Sequence, residues 1–249
     1  MAIVTGASRG IGRGLARGLA VAGADVVCAA RTVVTETGGL PGTIHEAAAD
    51  VQAVGRRALA VRCDIASEDD IAALFAQTMD AFGRIDVLVN NAMAPTRGMF
   101  DAMTVEMWDE SMTTNVRSLF VTCKHVVPLM AASGGGSIIN VSSGAAEHAS
   151  SAHLPAGYAV YSVAKAAMER FTSAIAPEIA ASGVAINAMR PGAVKTELAT
   201  RELGEDFDWS GWTTPEAVVP AVVFLAQARP PAFTGRIVDS PSFGKTWPA

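Results

Sequence analysis

Seven short apolar runs alternate along the chain with stretches of helical periodicity: Ala2 to Thr5, Asp25 to Ala30, Ala58 to Cys63, Ile85 to Asn90, Ser137 to Ser142, Val184 to Met189 and Arg236 to Asp239. Runs of this length and β-branched content read as strands. Strands joined through helices pair in parallel, and a parallel sheet requires helices over both of its faces. The expectation is an α/β fold: one domain over residues 1–249, with a doubly wound, parallel seven-stranded sheet and helices on both faces.

The helices carry their own signals. Ile11, Leu15 and Leu19 recur every four residues, and Ser67 followed by acids caps the stretch holding Ile71, Leu74 and Phe75. Thr214, Pro215 and Glu216 supply a cap, a proline at the first helical position and an acid at the positive dipole end. The less regular segments are Thr32 to Gly42, Gly144 to Gly157 and Thr196 to Thr213; the last two follow strand ends, where open α/β sheets build their sites.

Composition excludes several function classes. A net charge of -5 offers no basic surface for a nucleic acid backbone. The apolar stretches are broken before the roughly 20 residues that span a bilayer, and no signal-type leader opens the chain, so a cytoplasmic protein is expected, with no membrane partner. Cys28, Cys63 and Cys123 lack metal-type spacing and read as buried free thiols; no metal site is expected.

Gly6, Gly10 and Gly12 lie between the first strand and the first helix. A helix start offers unpaired N–H groups and a positive dipole end, and glycine lets a phosphate approach them. The spacing, Gly-x-x-x-Gly-x-Gly, is not the better-known Gly-x-Gly-x-x-Gly fingerprint. Further features follow: Asn90-Asn91-Ala92 closes the fourth strand, Ser142-Ser143 the fifth, and Tyr161-Ser-Val-Ala-Lys165 opens a helix. Four residues of helix put Tyr161 and Lys165 on one face, and a nearby cation favours a phenolate, which makes Tyr161 usable as a general acid or base.

In this order, over essentially its whole length, the chain resembles the short-chain dehydrogenase/reductase family. The resemblance implies a Rossmann fold and an NAD(P)-dependent interconversion of a ketone or aldehyde with an alcohol. It implies that Tyr161 exchanges the proton, Lys165 lowers its pKa and holds the nicotinamide ribose, Ser143 (with Ser142 as the alternative) orients the substrate oxygen, and Asn115 supports the proton relay through a water. For the cofactor it implies Gly6, Ser8, Arg9, Gly10, Ile11 and Gly12 at the turn. Asp64 and Ile65 follow the third strand, Asn91 and Ala92 the fourth, and Pro191, Gly192, Val194 and Thr196 the sixth. Asn90 reads as a tie between strands.

Where NAD-preferring relatives carry an acid after the second strand, this chain has Arg31; with Arg9 it could clamp a 2'-phosphate, so NADP(H) is favoured over NAD(H). Two departures stand out: Met93 replaces a usual glycine, and Asp239-Ser240-Pro241 replaces Asp-Gly-Gly. The interval from Ser143 to Tyr161 is longer than usual and holds His148 and His153, which could line the pocket. Leu40 to Ile44, Asn115-Val116-Arg117 and that loop resemble the hydroxysteroid- and citronellol-dehydrogenase-like branch, implying a bulky apolar substrate; Arg190-Pro191-Gly192 resembles ketoacyl reductases. Phe207, Trp209 and Trp212 could close over a substrate or pack on another subunit. The resemblance implies a homodimer or homotetramer. A 3-ketoacyl-thioester reductase, a non-catalytic NADP(H)-binding sensor or scaffold, and a halohydrin dehalogenase are the competing readings. The last lacks the glycine turn and the lysine, and a sensor would have lost the catalytic residues.

Overall fold

Successive strand residues face two separate cores: Ala2 and Val4 pack on one side of the sheet and Ile3 on the other, as do Val26 and Cys28 against Val27 and Ala29. Both faces are apolar because both are covered, which is why the strands read as continuous apolar runs rather than alternating ones. The computed structural model describes residues 1–35, 37–148 and 156–247.

Its strands are β1 (Ala2–Thr5), β2 (Val26–Ala30), β3 (Ala58–Arg62), β4 (Val87–Asn90), β5 (Gly136–Val141), β6 (Val184–Arg190) and β7 (Ile237–Asp239). They form one sheet in the order β3-β2-β1-β4-β5-β6-β7, every neighbouring pair parallel. One face is covered by α1 (Gly10–Val21), α2 (Ile44–Ala53) and, later in the chain, α8 (Val219–Ala226), through Leu15, Leu19, Val51, Val222 and Leu225. The other is covered by α3 (Glu68–Phe82), α5 (Ser118–Ala132) and α6 (Ala159–Ile179), through Ile71, Leu74, Val126, Met130 and Ala176. The chain switches direction across the sheet between β1 and β4, so a crevice opens outside their carboxyl ends.

Local chemistry explains most boundaries. Ser67 accepts from the Asp70 amide and caps α3; Thr104 caps α4 (Val105–Met112) through Met107. The start at Thr214 differs from the expectation: Thr214 makes no side-chain cap bond, and Pro215–Val218 forms a 3-10 turn before α8 begins at Val219. A buried chain of amides crosses the sheet, Asn90 donating to Asn140 at 2.9 Å and Asn140 to Thr172 at 2.9 Å. Asn90 is therefore the tie between strands that the sequence suggests. Breaking such a chain leaves a buried polar group unpaired at a cost of about 1–3 kcal/mol. The three cysteines are buried and free, and burial pushes each thiol up to about 12. Among the described residues no helix is long and apolar enough to cross a membrane, and no cluster suited to a metal occurs.

Candidate active site

Thr5 joins the two central strands at the crevice. Its hydroxyl donates to the Val89 carbonyl at 3.2 Å and accepts from the amides of Asn91 and Ala92 at 3.0 and 3.1 Å. The Asn91 side chain donates back to the carbonyls of Thr5 and Gly6 at 2.9 and 3.3 Å. The turn so held has Gly6 at φ +66°, and a Cβ on Gly12 would lie 2.1 Å from the Gly6 carbonyl oxygen. Only glycine fits there. The helix that follows starts at Arg9 without a side-chain cap and with no acid in its first turn, so its amides and dipole remain open to an anion. This cradle fits the diphosphate of a dinucleotide.

Beside it stands a carboxylate. Thr196 caps α7 (Glu197–Leu203) through the Ala199 amide, and the Oε2 of Glu197 is buried with no hydrogen-bond partner, 3.4 Å from where a Gly10 Cβ would stand.

Arg9 and Arg31 are not equivalent. The Arg9 guanidinium bonds the carbonyls of Leu40, Pro41 and Gly42 and the hydroxyl of Thr32, at 2.9 to 3.2 Å, and thereby staples the 40–42 segment over the turn. Arg31, at the end of β2, is exposed on the rim of the crevice. The pair is thus one staple and one accessible cation, rather than two free arms of a clamp.

Tyr161 and Lys165 occupy one face of α6, as their spacing requires. Lys165 is 2 % exposed; its Nζ donates to the Val141 carbonyl at 2.7 Å and lies 5.8 Å from the Tyr161 ring centre. Burial brings its ammonium down to about 8, against the pull of Glu169 one turn further along. Burial pushes the Tyr161 phenol above its ordinary value, opposed by a hydrogen bond with Ser143 and by the charge of Arg97. Desolvation is the largest influence on this phenol. Ser142 is engaged elsewhere, donating to Glu169 at 2.7 Å, while Glu169 takes a bidentate pair from Arg190, both bonds 2.8 Å. Of the two serines, Ser143 is the one in contact with Tyr161.

Asn115 sits in a π-type turn, Thr113–Arg117, between α4 and α5. At 1 % exposure, its side chain accepts from the Ala94 amide and donates to the Ala94 carbonyl, both at 3.0 Å, and it donates to Ser111 at 3.2 Å. It stands behind the crevice wall that Ala94 forms. Every other residue expected in the site lines a cleft of about 930 Å³, from Arg31, Asp64 and Ile65 at one end, past Ser8, Ile11, Ala92, Pro191, Gly192 and Val194, to Ser143 and Tyr161 at the other. Asp64 also caps its own turn, accepting from the Ala66 amide at 3.0 Å. Pro241, in the altered C-terminal motif, packs where a Gly192 Cβ would be, at 2.8 Å.

Residues 1–206 match the family model described as short chain dehydrogenase. The chain belongs to the short-chain dehydrogenase family. It is 34 % identical over 230 residues to a 3-oxoacyl-[acyl-carrier-protein] reductase of Synechocystis sp., covering 91 % of this chain and 88 % of that one. It is 38 % identical over 209 residues to the 2-(R)-hydroxypropyl-CoM dehydrogenase of Xanthobacter autotrophicus, covering 82 % and 78 %. A 7α-hydroxysteroid dehydrogenase solved with NADH and 7-oxoglycochenodeoxycholic acid superposes with a TM-score of 0.79 at 30 % identity, over 96 % of this chain and 91 % of that one. The family is one of oxidoreductases that bind a nicotinamide cofactor.

In this short-chain dehydrogenase the sequence left several cleft residues unnoticed. Arg97 follows β4, stacks 4.3 Å over the Tyr158 ring and pairs with Glu202 of α7; Tyr158 meets Tyr161 edge-on at 6.0 Å. Glu169 was visible as an acid four residues after Lys165, and α7 as a threonine cap followed by an acid, inside a segment expected to be irregular. Phe207, Trp209 and Trp212 pack on one another at 5.0 to 5.8 Å, and of the three only Trp212 reaches the cleft. Met93 lines it too; His148 is exposed and is not part of the lining, and His153 lies outside the described residues.

Proposed function

We propose that this chain is an NADP(H)-dependent carbonyl reductase or alcohol dehydrogenase, a single catalytic domain over residues 1–249 acting on a small-molecule, largely apolar ketone, aldehyde or alcohol. The observation that carries it is the half-buried Tyr161, its phenol hydrogen-bonded to Ser143 and one turn from Lys165, at the substrate end of the cleft. When bound, the nicotinamide supplies or accepts the hydride at the substrate carbon.

Tyr161 gives its proton to the substrate oxygen in reduction and takes it back in oxidation. Ser143 orients that oxygen, and Lys165 contributes positive charge beneath the phenol and a donor for the nicotinamide ribose. Asn115 acts one layer back, holding Ala94 and with it the wall beside the phenol. Gly6, Gly10 and Gly12, with Ser8 and Ile11, receive the diphosphate, and Asn91 fixes the turn. Asp64 and Ile65 would meet the adenine, Pro191, Gly192 and Val194 would pack along the nicotinamide, and Thr196, beside Gly10, would meet its carboxamide or the diphosphate. Arg31, exposed where an acid would select the unphosphorylated ribose, supports NADP(H). The related 7α-hydroxysteroid dehydrogenase is described with NADH, so discrimination rests on this chain's own residue 31.

A second reading is a 3-ketoacyl-thioester reductase, favoured by the similarity to the Synechocystis reductase. Both readings share the chemistry and differ in what lies beyond the carbonyl. The test is a panel of ketones, aldehydes, alcohols and a 3-ketoacyl thioester, run with both phosphorylated and unphosphorylated nicotinamides and followed by their absorbance. Turnover with NADPH that is lost in Tyr161→Phe is expected. A Tyr161→Phe variant that keeps the parent rate on every substrate overturns the proposal.

A further inference from the structure

Arg97 lines the substrate end of the cleft, and its charge has no part in the proposed chemistry. It projects from the segment after β4 into the substrate end, where its guanidinium carbon lies over the Tyr158 ring, 4.3 Å from the centre, and Tyr158 in turn meets the Tyr161 ring edge-on. A guanidinium held over an aromatic face keeps its N–H groups free to bond. Those groups are only partly used. One terminal nitrogen pairs with the Glu202 carboxylate, whereas Nε is buried and has no acceptor among the described residues.

A buried guanidinium donor without an acceptor is a standing cost, and a carboxylate lying across Nε and a terminal nitrogen would remove it with two parallel hydrogen bonds. Glu202 offers a single oxygen from the far side. It belongs to α7, a seven-residue helix with no fully buried residue. The span between Arg97 and the Tyr161 hydroxyl is bridged by one aromatic ring, which sets the acceptor several bonds from the reacting carbon.

We infer that Arg97 selects substrates bearing a carboxylate several bonds from the carbonyl or carbinol carbon, and that Glu202 holds the guanidinium until such a substrate displaces it. This rests on the cleft being a carbonyl and alcohol site, as proposed above. The remainder of the substrate stays apolar, in keeping with Met93, Met107, Leu203 and Trp212 around it. Glu110 and Glu202 also line the cleft, so a substrate carboxylate there needs the Arg97 cation to meet it.

The test compares 5-oxohexanoate with its neutral methyl ester in NADPH-dependent reduction by the parent enzyme, Arg97→Gln, Arg97→Lys and Glu202→Gln. The expected result is a parent preference for the acid. Its acid-to-ester ratio of kcat/KM falls at least tenfold in Arg97→Gln and less in Arg97→Lys, which keeps the charge without the fork. In Glu202→Gln the ratio rises, through a lower KM for the acid. Equal loss for acid and ester in both Arg97→Gln and Glu202→Gln identifies a structural latch and overturns the inference, as does an unchanged ratio. Titration of hexanoate against hexanamide into the NADPH complex, read by tryptophan fluorescence, separates the two levels. If neither ketone turns over, the functional reading falls, yet hexanoate binding lost at least tenfold in Arg97→Gln still supports the carboxylate site, and binding indifferent to charge removes it. Should Arg97→Gln fail to fold, Glu202→Gln alone decides, by whether acid binding tightens.

Discussion

The Lys165 ammonium reaches past Tyr161 to the Val141 carbonyl, donating at 2.7 Å while standing 5.8 Å from the phenol ring centre. Burial raises the Tyr161 phenol above its ordinary value, opposed by Ser143 and Arg97. A proton donor works below its pKa and a proton acceptor above it. Carbonyl reduction should therefore hold its kcat through neutral pH and fall as pH climbs towards the Tyr161 pKa, whereas alcohol oxidation should rise over the same interval. Initial rates in both directions across buffers of rising pH check this. Tyr161→Phe should lower kcat about 10²–10⁴-fold in both directions.

Lys165 carries a cost to the fold. Moving from an ordinary 10.5 to about 8 disfavours the charged form by about 3 kcal/mol. Lys165→Met should abolish turnover yet melt a few degrees higher at pH 7, with the Val141 carbonyl left unpaired as a partial offset. The sign with pH is set by the depressed value. The folded ammonium loses its proton near 8 while the unfolded one keeps it to 10.5, so the parent gains stability in that window and the difference in melting temperature should shrink. Calorimetric scans of both proteins between pH 7 and 10 measure it.

Glu197 places an unpartnered, buried carboxylate oxygen beside the glycine turn. A like charge there opposes an incoming diphosphate by about 1 kcal/mol at an intermediate dielectric. Glu197→Gln should lower the Kd for NADPH and for NADH alike, about fivefold each. Fluorescence titration with both cofactors reads this, and an unchanged Kd would mean that α7 has moved aside in the complex.

Arg31 and Arg9 should separate cleanly. Arg31→Ala removes an exposed cation at the end of β2 and should weaken NADPH about 10- to 100-fold with little effect on NADH. Arg9→Ala releases the 40–42 segment that its guanidinium holds at three carbonyls and should weaken both cofactors. Paired Kd measurements distinguish a selector from a staple.

What the sequence makes legible depends on how local the cause is. The strand over Val26–Ala30 is visible because both faces are buried and every residue is apolar. The Tyr161 and Lys165 pair is visible because one turn of helix fixes their geometry. The choice between Ser142 and Ser143 is not, since it turns on a hydrogen bond to Glu169, 27 positions away. Helix α7 has no fully buried residue, so no apolar periodicity announces it, and Arg97 gains meaning only from Glu202, 105 positions further on. Arg9 is instructive in the same way. Its type and place suggest a phosphate ligand, and its partners, three backbone carbonyls and a hydroxyl, come from a segment without periodicity of its own.

Asn115 bonds both the N–H and the C=O of Ala94, offering that residue the donor and acceptor pair that an adjacent strand would present. One side-chain amide thus supplies strand-like bonding four residues beyond Asn90, the end of β4, and whatever follows starts from a pinned point. The 95–99 segment, which carries Arg97, is in this respect an exchangeable cassette. Changes in it reach the phenol through Arg97 and Tyr158, while Thr5 and Asn91 hold the cofactor turn separately.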